Sequence, residues 1–313
     1  MAPWNIAHRG GAQLRPENTL SAFADAVWRG CDGAELDVQL TADGEVVVYH
    51  DWHLKPDHCR DTNGAWLKGP TPRVKDLTLE ELRLFEVGRA EPDSAYAKAH
   101  PHVRWLDEEC VPLLSEVIAV AKTARSPFRL IVELKTSFAN RDESADPLAL
   151  AERTIAVLRQ HRYLDHAVFV GFDWAGLIHA KTLAPETACW FTTLPQSWFK
   201  PGTPPSESNP PSEVALQMLR YWAHEGVSPW AAGFDAVKHG GSLLQAIKAA
   251  GGDGWDPMWV DITAENVAEA RELGLKLATW TVNDPRQMTR LAGFGLDAIY
   301  TDRPDLMMAT LSA

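Results

Sequence analysis

Cysteine is scarce: four occur in 313 residues (Cys31, Cys59, Cys110 and Cys189), far apart and with no Cys-x-x-Cys pair. Such spacing fits free thiols in a reducing compartment, with a Cys59–Cys110 bridge the one pairing left open. A surplus of positive charge is also missing, since 30 Lys and Arg face 42 Asp and Glu, for a net charge of −12. A general nucleic-acid or anionic-membrane binder needs a basic footprint, so neither kind of partner is expected. An anionic small molecule is not excluded, because a few local cations and a metal decide that question. No apolar run is long enough to span a bilayer. The start, Met-Ala-Pro-Trp-Asn-Ile-Ala-His-Arg-Gly, has neither a basic n-region nor an apolar h-region. The expectation is a cytoplasmic protein without a transmembrane segment; nothing in the composition assigns an oligomeric state.

What is present is ordinary for a soluble globular chain: 45% hydrophobic and 23% charged residues, enough for one large α/β domain or two smaller ones. Thirteen tryptophans are many for this length. Most belong to packing, and a subset is expected to line a pocket.

The chemistry gathers in the stretch Glu35 to Asp51. Glu35 and Asp37 sit two apart on a strand-like segment, so both carboxylates face the same side. Asp43-Gly44 signals a hairpin, and the run Val46 to Val48 leads back to His50-Asp51. An imidazole is thereby returned to two acids that cannot both be buried and charged without a cation or another partner.

Taken in order, Trp4 to Ala7 reads as a strand ending at His8-Arg9-Gly10-Gly11. Pro16-Glu17-Asn18-Thr19 precedes a helix closed by Gly30, and Ala34 to Leu40 is the second strand. That strand–helix–strand unit implies parallel strands and a right-handed crossover. From about residue 52 to 111 the alternation breaks, which marks an insertion with one helix, Leu79 to Phe85, capped by Thr78. Its His53 and His58, with His100 and His102, form no clean zinc set and read as surface residues.

Strands are then expected at Phe128 to Lys135, Ala167 to Phe172, Thr187 to Thr193, Met258 to Ile262, Lys276 to Val282 and Asp297 to Thr301. A spare candidate lies at Trp230 to Phe234, and Pro195 to Pro211 is a loop by composition. Helices are expected between them, at Leu113 to Ala124, Pro147 to Gln160, Trp174 to Thr182, Ser212 to His224, Leu243 to Ala250, Ala264 to Leu273 and Pro285 to Ala292. Eight strands alternating with helices predict an α/β fold, a (β/α)8 TIM barrel with a small insertion after the second strand, as one domain over residues 1–313. A doubly wound sheet is the alternative, but Gly10-Gly11 is not its phosphate-loop fingerprint.

In such a barrel the active site lies at the C-terminal strand ends. Those ends supply His8 and Arg9, Glu35 and Asp37, Glu133 and Lys135, Trp280 and Asn283, and Asp302 and Arg303. Three carboxylates without a nearby cysteine make a hard-oxygen site for one divalent cation, Mg²⁺ or Ca²⁺. The metal, Arg9 and Lys135 together would neutralise a phosphate, and His8 with His50 would serve in-line acid–base displacement.

The ordered motifs His8-Arg9-Gly10, Pro16-Glu17-Asn18-Thr19, Glu35-Leu36-Asp37-Val38, Asp43-Gly44 and His50-Asp51 continue into Asp76-Leu77-Thr78-Leu79-Glu80-Glu81-Leu82 and Pro112-Leu113-Leu114-Ser115-Glu116. Glu133-Leu134-Lys135, Trp280-Thr281-Val282-Asn283 and Thr301-Asp302-Arg303-Pro304 complete them. Over most of its length the chain resembles the glycerophosphodiester phosphodiesterases. The resemblance implies a TIM barrel in which Glu35, Asp37 and Glu133 hold the metal. It implies that His8 and His50 form the acid–base pair, with His8 the base, and that Arg9 and Lys135 hold the phosphate. Hydrolysis of a small glycerophosphodiester to glycerol 3-phosphate and an alcohol would follow, a reaction of glycerol and lipid metabolism. The longer insertion and the tryptophan-rich segment Pro195 to Gly252 depart from a minimal member and bear on the alcohol pocket.

Bland readings stand beside these. Glu35 and Asp37 make a salt-bridged pair with Arg9 or Lys135 if no metal binds. Trp280 is either barrel core or a wall for substrate. Glu17 and Asn18 either cap the first helix or contact the metal ligands from behind, and Asp51 either orients His50 or starts the insertion. One functional alternative is a lysophospholipase D-type hydrolase of lipid head groups, marked by an apolar docking surface such as Trp66-Leu67. The other is a non-catalytic phosphodiester-binding barrel, which would have lost a histidine or a carboxylate; here all are present.

Overall fold

The computed structural model describes residues 2–199 and 213–312. Strand β1 (Trp4–Ala7) runs into a tight turn at His8–Gly10, and helix α1 (Leu20–Arg29) follows. The Thr19 hydroxyl caps α1 by accepting from the Ala22 amide at 3.3 Å, and Gly30, at φ 78°, stops it in the left-handed region. Strand β2 (Gly33–Leu40) is buried along its whole length and turns back at Asp43-Gly44 into the short antiparallel β3 (Val46–Val48).

In the insertion come α2 (Leu79–Leu82), whose Thr78 and Glu81 form a reciprocal capping box, and α3 (Ala95–Ala99). The barrel resumes with α4 (Leu114–Ala121), β4 (Arg129–Leu134), α5 (Pro147–Gln160), β5 (Ala167–Gly171), α6 (Trp174–Leu183) and β6 (Ala188–Thr193). After α7 (Glu213–Glu225) and α8 (Leu243–Ala249) come β7 (Gly254–Pro257), α9 (Ala264–Glu272), β8 (Lys276–Leu277), α10 (Pro285–Ala292), β9 (Ala298–Thr301) and α11 (Pro304–Leu311).

The parallel strands follow in the order β8-β7-β6-β5-β4-β2-β1-β9, with β3 paired to β2 off this path. Backbone bonds from Asp297 N to Leu277 O (2.7 Å), Tyr300 N to Thr279 O (2.8 Å) and Val282 N to Tyr300 O (2.9 Å) join the last strand to the first of that path. The expected TIM barrel is therefore the observed fold. Alternate side chains of each strand point in or out. The outward ones, such as Leu36, Val38, Leu130 and Val132, pack under the helices. The inward ones, Ile6, Ile131, Val168, Val170, Trp190, Ala278, Ala298 and Tyr300, fill the barrel below its mouth. A third core, Val47, Tyr49, Leu54, Cys59, Val74, Leu82 and Val111, seats the segment 52–111 on β3.

The structure corrects several sequence expectations. The seventh strand is Gly254–Pro257, not Met258 to Ile262, of which Trp259–Asp261 forms a 3-10 turn. Gly, Asp and Pro are poor strand formers, but register with β6 imposes extended backbone there. Trp230 to Phe234 is no strand; Trp230 packs against Phe138, Phe199 and Trp222. Regular β8 is only two residues long, and α11 was not anticipated. Within the loop Pro195 to Pro211, Gln196–Phe199 forms a 3-10 turn, and residues 200–212, including the expected helix start at Ser212, lie outside the described residues. The four cysteines are free, so Cys59 and Cys110 are not bridged. No described helix is long and apolar enough to cross a membrane.

Candidate active site

The turn after β1 is built from three consecutive residues at positive φ: Arg9 (50°), Gly10 (82°) and Gly11 (100°). Gly10 also lies where a Cβ would sit 2.6 Å from the Ala22 Cβ on α1, so only glycine lets the turn lie flat on that helix. Arg9 is a non-glycine residue in a costly conformation, as is Asn18 at 57°, and such strain gathers at working sites. It has a visible result here: the Arg9 amide donates to Glu35 Oε2 at 3.0 Å while its guanidinium Nη1 donates to Glu17 Oε1 at 2.9 Å.

His8 is fixed by the opposite end of the chain. Its Nδ1 lies 2.6 Å from Asp302 Oδ1, and Asn283 Nδ2 donates to Asp302 Oδ2 at 2.7 Å. An ionised Asp302 can only accept, so Nδ1 carries the proton and Nε2 is left facing Glu35 Oε2, 3.7 Å away. Burial works against the Asp302 charge, but His8 and Asn283 hold its carboxyl below the usual range.

Ligand oxygens of Glu35, Asp37 and Glu133 lie within 4.8 Å of one another. Strand register explains this: Asp37 pairs with Glu133 across β2 and β4, and Glu35 is two residues back on the same face. Asp37 accepts from Asn18 Nδ2 at 2.7 Å and lies 3.5 Å from Arg9 Nε and 3.7 Å from Lys135 Nζ. Burial alone would raise its pKa, yet His50, Arg9 and Lys135 bring it down to about 2. Glu35 behaves oppositely. Burial first, then the charges of Asp37 and Glu133, push its carboxyl well above the ordinary value, and its Oε1 is buried with no hydrogen-bond partner. A hard-oxygen set with one unsatisfied carboxylate oxygen and too little positive charge is suited to a divalent cation such as Mg²⁺ or Ca²⁺. The residues present fit that group.

His50 arrives on the β3 hairpin. Gln39, two residues beyond Asp37, donates Nε2 to the carbonyls of Tyr49 (2.7 Å) and Asp51 (2.8 Å), bracketing the imidazole between two anchored peptides. The His50 Nδ1 stands 3.3 Å from Asp51 Oδ2, which also pairs with Lys55 at 2.8 Å. Burial, then Arg9 and Lys135, lower the His50 pKa. Lys135 itself pairs with Glu133 at 2.9 Å.

The expected residues meet in one place. His8, Arg9, Glu35, His50, Glu133, Lys135 and Trp280 all line a cavity of about 310 Å³ at the C-terminal ends of the strands, with Asp37 buried directly behind. Trp280 donates its indole N–H to the Asp256 carbonyl at 3.1 Å and meets Phe172 edge-on, so it is a wall of the cavity. Glu17 and Asn18 hold Arg9 and Asp37, while Thr19 does the capping. Arg303 turns away to Asp305.

Two further members, Tyr96 and His58, carry no local signal. Tyr96, on α3, donates its phenol O–H to Glu17 Oε2 at 2.6 Å. His58, expected at the surface, is 8% exposed, with its ring 3.5 Å from that of Tyr96; burial lowers its pKa to about 4. His53 is a surface residue as expected, paired with Glu143. Asp302 is one of the strand-end residues expected from the sequence, and Gln39, on the β2 face of Glu35 and Asp37, has its signal in the strand alternation. Nothing in the sequence around Tyr96 or His58 places them behind Arg9. The suggested docking pair Trp66-Leu67 is half-buried: Trp66 lies under Arg60, and Leu67 packs on the insertion core.

The model of the glycerophosphoryl diester phosphodiesterase family matches residues 8–306. The chain belongs to that family. A glycerophosphodiester phosphodiesterase of Caldanaerobacter subterraneus subsp. tengcongensis is 26% identical over 97% of this chain and 95% of its own length. One from Bacillus subtilis is 28% identical over 96% and 84%. The crystal structure of a candidate glycerophosphoryl diester phosphodiesterase from Silicibacter pomeroyi DSS-3 superposes with a TM-score of 0.79 at 31% identity, covering 98% of this chain and 92% of that one. An Oleispira antarctica phosphodiesterase, solved with its product sn-glycerol-3-phosphate, shares the fold at a TM-score of 0.68 and 22% identity, covering 100% and 98%. Family membership makes this chain a phosphoric diester hydrolase acting on glycerophosphodiesters.

Proposed function

We propose that the chain hydrolyses small glycerophosphodiesters to glycerol 3-phosphate and an alcohol by metal-dependent histidine acid–base catalysis, within one barrel domain over residues 1–313 carrying an insertion at about 52–111. The observation that carries this reading is a single cavity lined by two imidazoles, two cations and two of the three clustered carboxylates. The Oleispira protein, with glycerol 3-phosphate as its product, is consistent with the same chemistry on this fold.

Glu35, Asp37 and Glu133 are the residues that would hold Mg²⁺ or Ca²⁺, which supplies Lewis-acid charge at the phosphate oxygens. Arg9 and Lys135 bind the remaining phosphate charge, and Glu17 and Asn18 keep Arg9 and Asp37 in place. His8, with Nδ1–H held by Asp302, offers the Nε2 lone pair to the attacking hydroxyl, from water or from the glycerol 2-position. As the new O–P bond forms and the P–O bond to the alcohol breaks, His50 gives its proton to the departing oxygen. Where a cyclic phosphate forms first, the same two imidazoles open it with water in exchanged roles.

The test is release of glycerol 3-phosphate from glycerophosphocholine with Mg²⁺, with Ca²⁺ and with EDTA, alongside His8→Ala and Glu35→Ala. The expected result is turnover that EDTA abolishes, with the His8 change costing about 10²–10⁴-fold. Turnover undiminished in EDTA, or undiminished in either variant, refutes the proposal.

A further inference from the structure

The catalytic groups occupy only part of the cavity wall. On the strand diametrically opposite β2 in the barrel order stands Asp256, 1% exposed, and on β9 stands Tyr300, also 1% exposed. Both line the same cavity as His8 and Lys135. Asp256 Oδ2 accepts from Thr192 Oγ1 at 3.0 Å, but Asp256 Oδ1 and the Tyr300 hydroxyl are both buried without a hydrogen-bond partner. The proposed phosphodiester chemistry uses neither residue.

Two buried polar atoms without a protein partner line one cavity, where they are available to a ligand's hydroxyl groups. The Tyr300 ring packs in the inner barrel with Ile131, Val170 and Trp190, so its hydroxyl sits where the apolar fill ends and the cavity begins. Phenylalanine would fill that ring position equally well. What the hydroxyl adds is a donor and acceptor at the cavity floor. The walls above it, Phe172 and Trp280, are aromatic and suit carbon backbones.

We propose that Asp256 and Tyr300, with Thr192 holding the Asp256 carboxyl, form a polyol subsite that binds the hydroxyls of the substrate's glycerol moiety and directs that half of the diester to the barrel floor. This rests on the phosphodiesterase reading of the site and adds to it which wall selects the glycerol. Burial, reinforced by Glu133 against the Thr192 bond, pushes the Asp256 carboxyl well above its ordinary value. A proton retained there lets it donate as well as accept and spares the bound phosphate a repulsive charge.

Binding of sn-glycerol 3-phosphate and of methyl phosphate, two monoesters that differ in the hydroxyls, separates this subsite from the phosphate site. Titrations would be run by calorimetry on the full chain with Mg²⁺ for wild type, Tyr300→Phe and Asp256→Asn. Wild type should bind glycerol 3-phosphate at least about tenfold more tightly than methyl phosphate, the worth of one well-made hydrogen bond. Tyr300→Phe should erase most of that preference, leave methyl phosphate affinity unchanged and keep or raise Tm. Equal wild-type affinity for the two ligands overturns the subsite, as does a parallel loss of both in the variants. Failure of the phosphodiesterase reading is seen separately, as absence of glycerophosphocholine turnover by wild type.

Discussion

Glu35→Gln should stabilise the metal-free protein while abolishing its response to metal. Glu35 is 3% exposed, its Oε1 has no partner, and burial with Asp37 and Glu133 holds its carboxyl far above the usual range. Folding therefore favours the protonated acid, so at neutral pH this residue withdraws stability that returns only as the pH falls through its raised pKa towards the unfolded value. Glutamine keeps the oxygen that accepts from the Arg9 amide at 3.0 Å and replaces the orphaned oxygen with a donor near two acceptors. Removing one unsatisfied buried oxygen is worth about 1–3 kcal/mol, or about 1.5–4.5 °C in Tm for a chain of this size. Wild type saturated with metal at one hundred times Kd gains about 2.7 kcal/mol, which Glu35→Gln forgoes. Thermal unfolding in EDTA and in millimolar Mg²⁺ or Ca²⁺ should thus show the two proteins exchanging rank. A variant less stable than wild type in EDTA, or one that keeps the full metal-induced shift, refutes the reasoning.

The remaining predictions concern residues behind the site. Asp302→Asn leaves the His8 ring space intact but removes the charge that holds its Nδ1 proton, so kcat should fall by about 10²-fold or more with KM little changed in steady-state kinetics. Tyr96→Phe removes the 2.6 Å bond to Glu17 and slackens Arg9; kcat/KM should drop about tenfold with the circular dichroism spectrum unchanged. His58, with a folded pKa of about 4, contributes stability that is present above its unfolded pKa and lost as pH falls towards 4. Urea unfolding should show about 2 kcal/mol less stability at pH 5 than at pH 7 from this residue, a difference that His58→Gln should remove.

Much of this is legible in the sequence. Helix stops such as Gly30, the capping of α2 by Thr78 and the hairpin at Asp43-Gly44 are local events governed by a few neighbouring residues. The carboxylate pair Glu35 and Asp37 is legible for the same reason, because a strand's period of two puts both on one face whatever lies around them, while Glu133 joins them only through the register of β2 with β4. Where local preference and tertiary demand conflict, tertiary demand wins. Gly254-Trp255-Asp256-Pro257 has the composition of a turn, and only pairing with β6 makes it a strand. That displacement carries Asp256 from ahead of the expected strand Met258 to Ile262 to the C-terminal end of β7, at the cavity.

The sequence by itself determined the alternation of strands and helices, the faces of the strands and the residue types at their ends. All of these follow from bond geometry and side-chain periodicity within a few residues. Tertiary structure decided which ends meet. His8 finds Asp302 across 294 residues, and Tyr96 reaches Glu17 across 79, because barrel closure and the packing of the insertion on β3 bring distant segments together. The shift of Glu35 upward and of Asp37 down to about 2, from carboxylates two residues apart, has the same origin. Charge and solvent around a buried group are set by whatever packs against it, and those neighbours come from the whole fold.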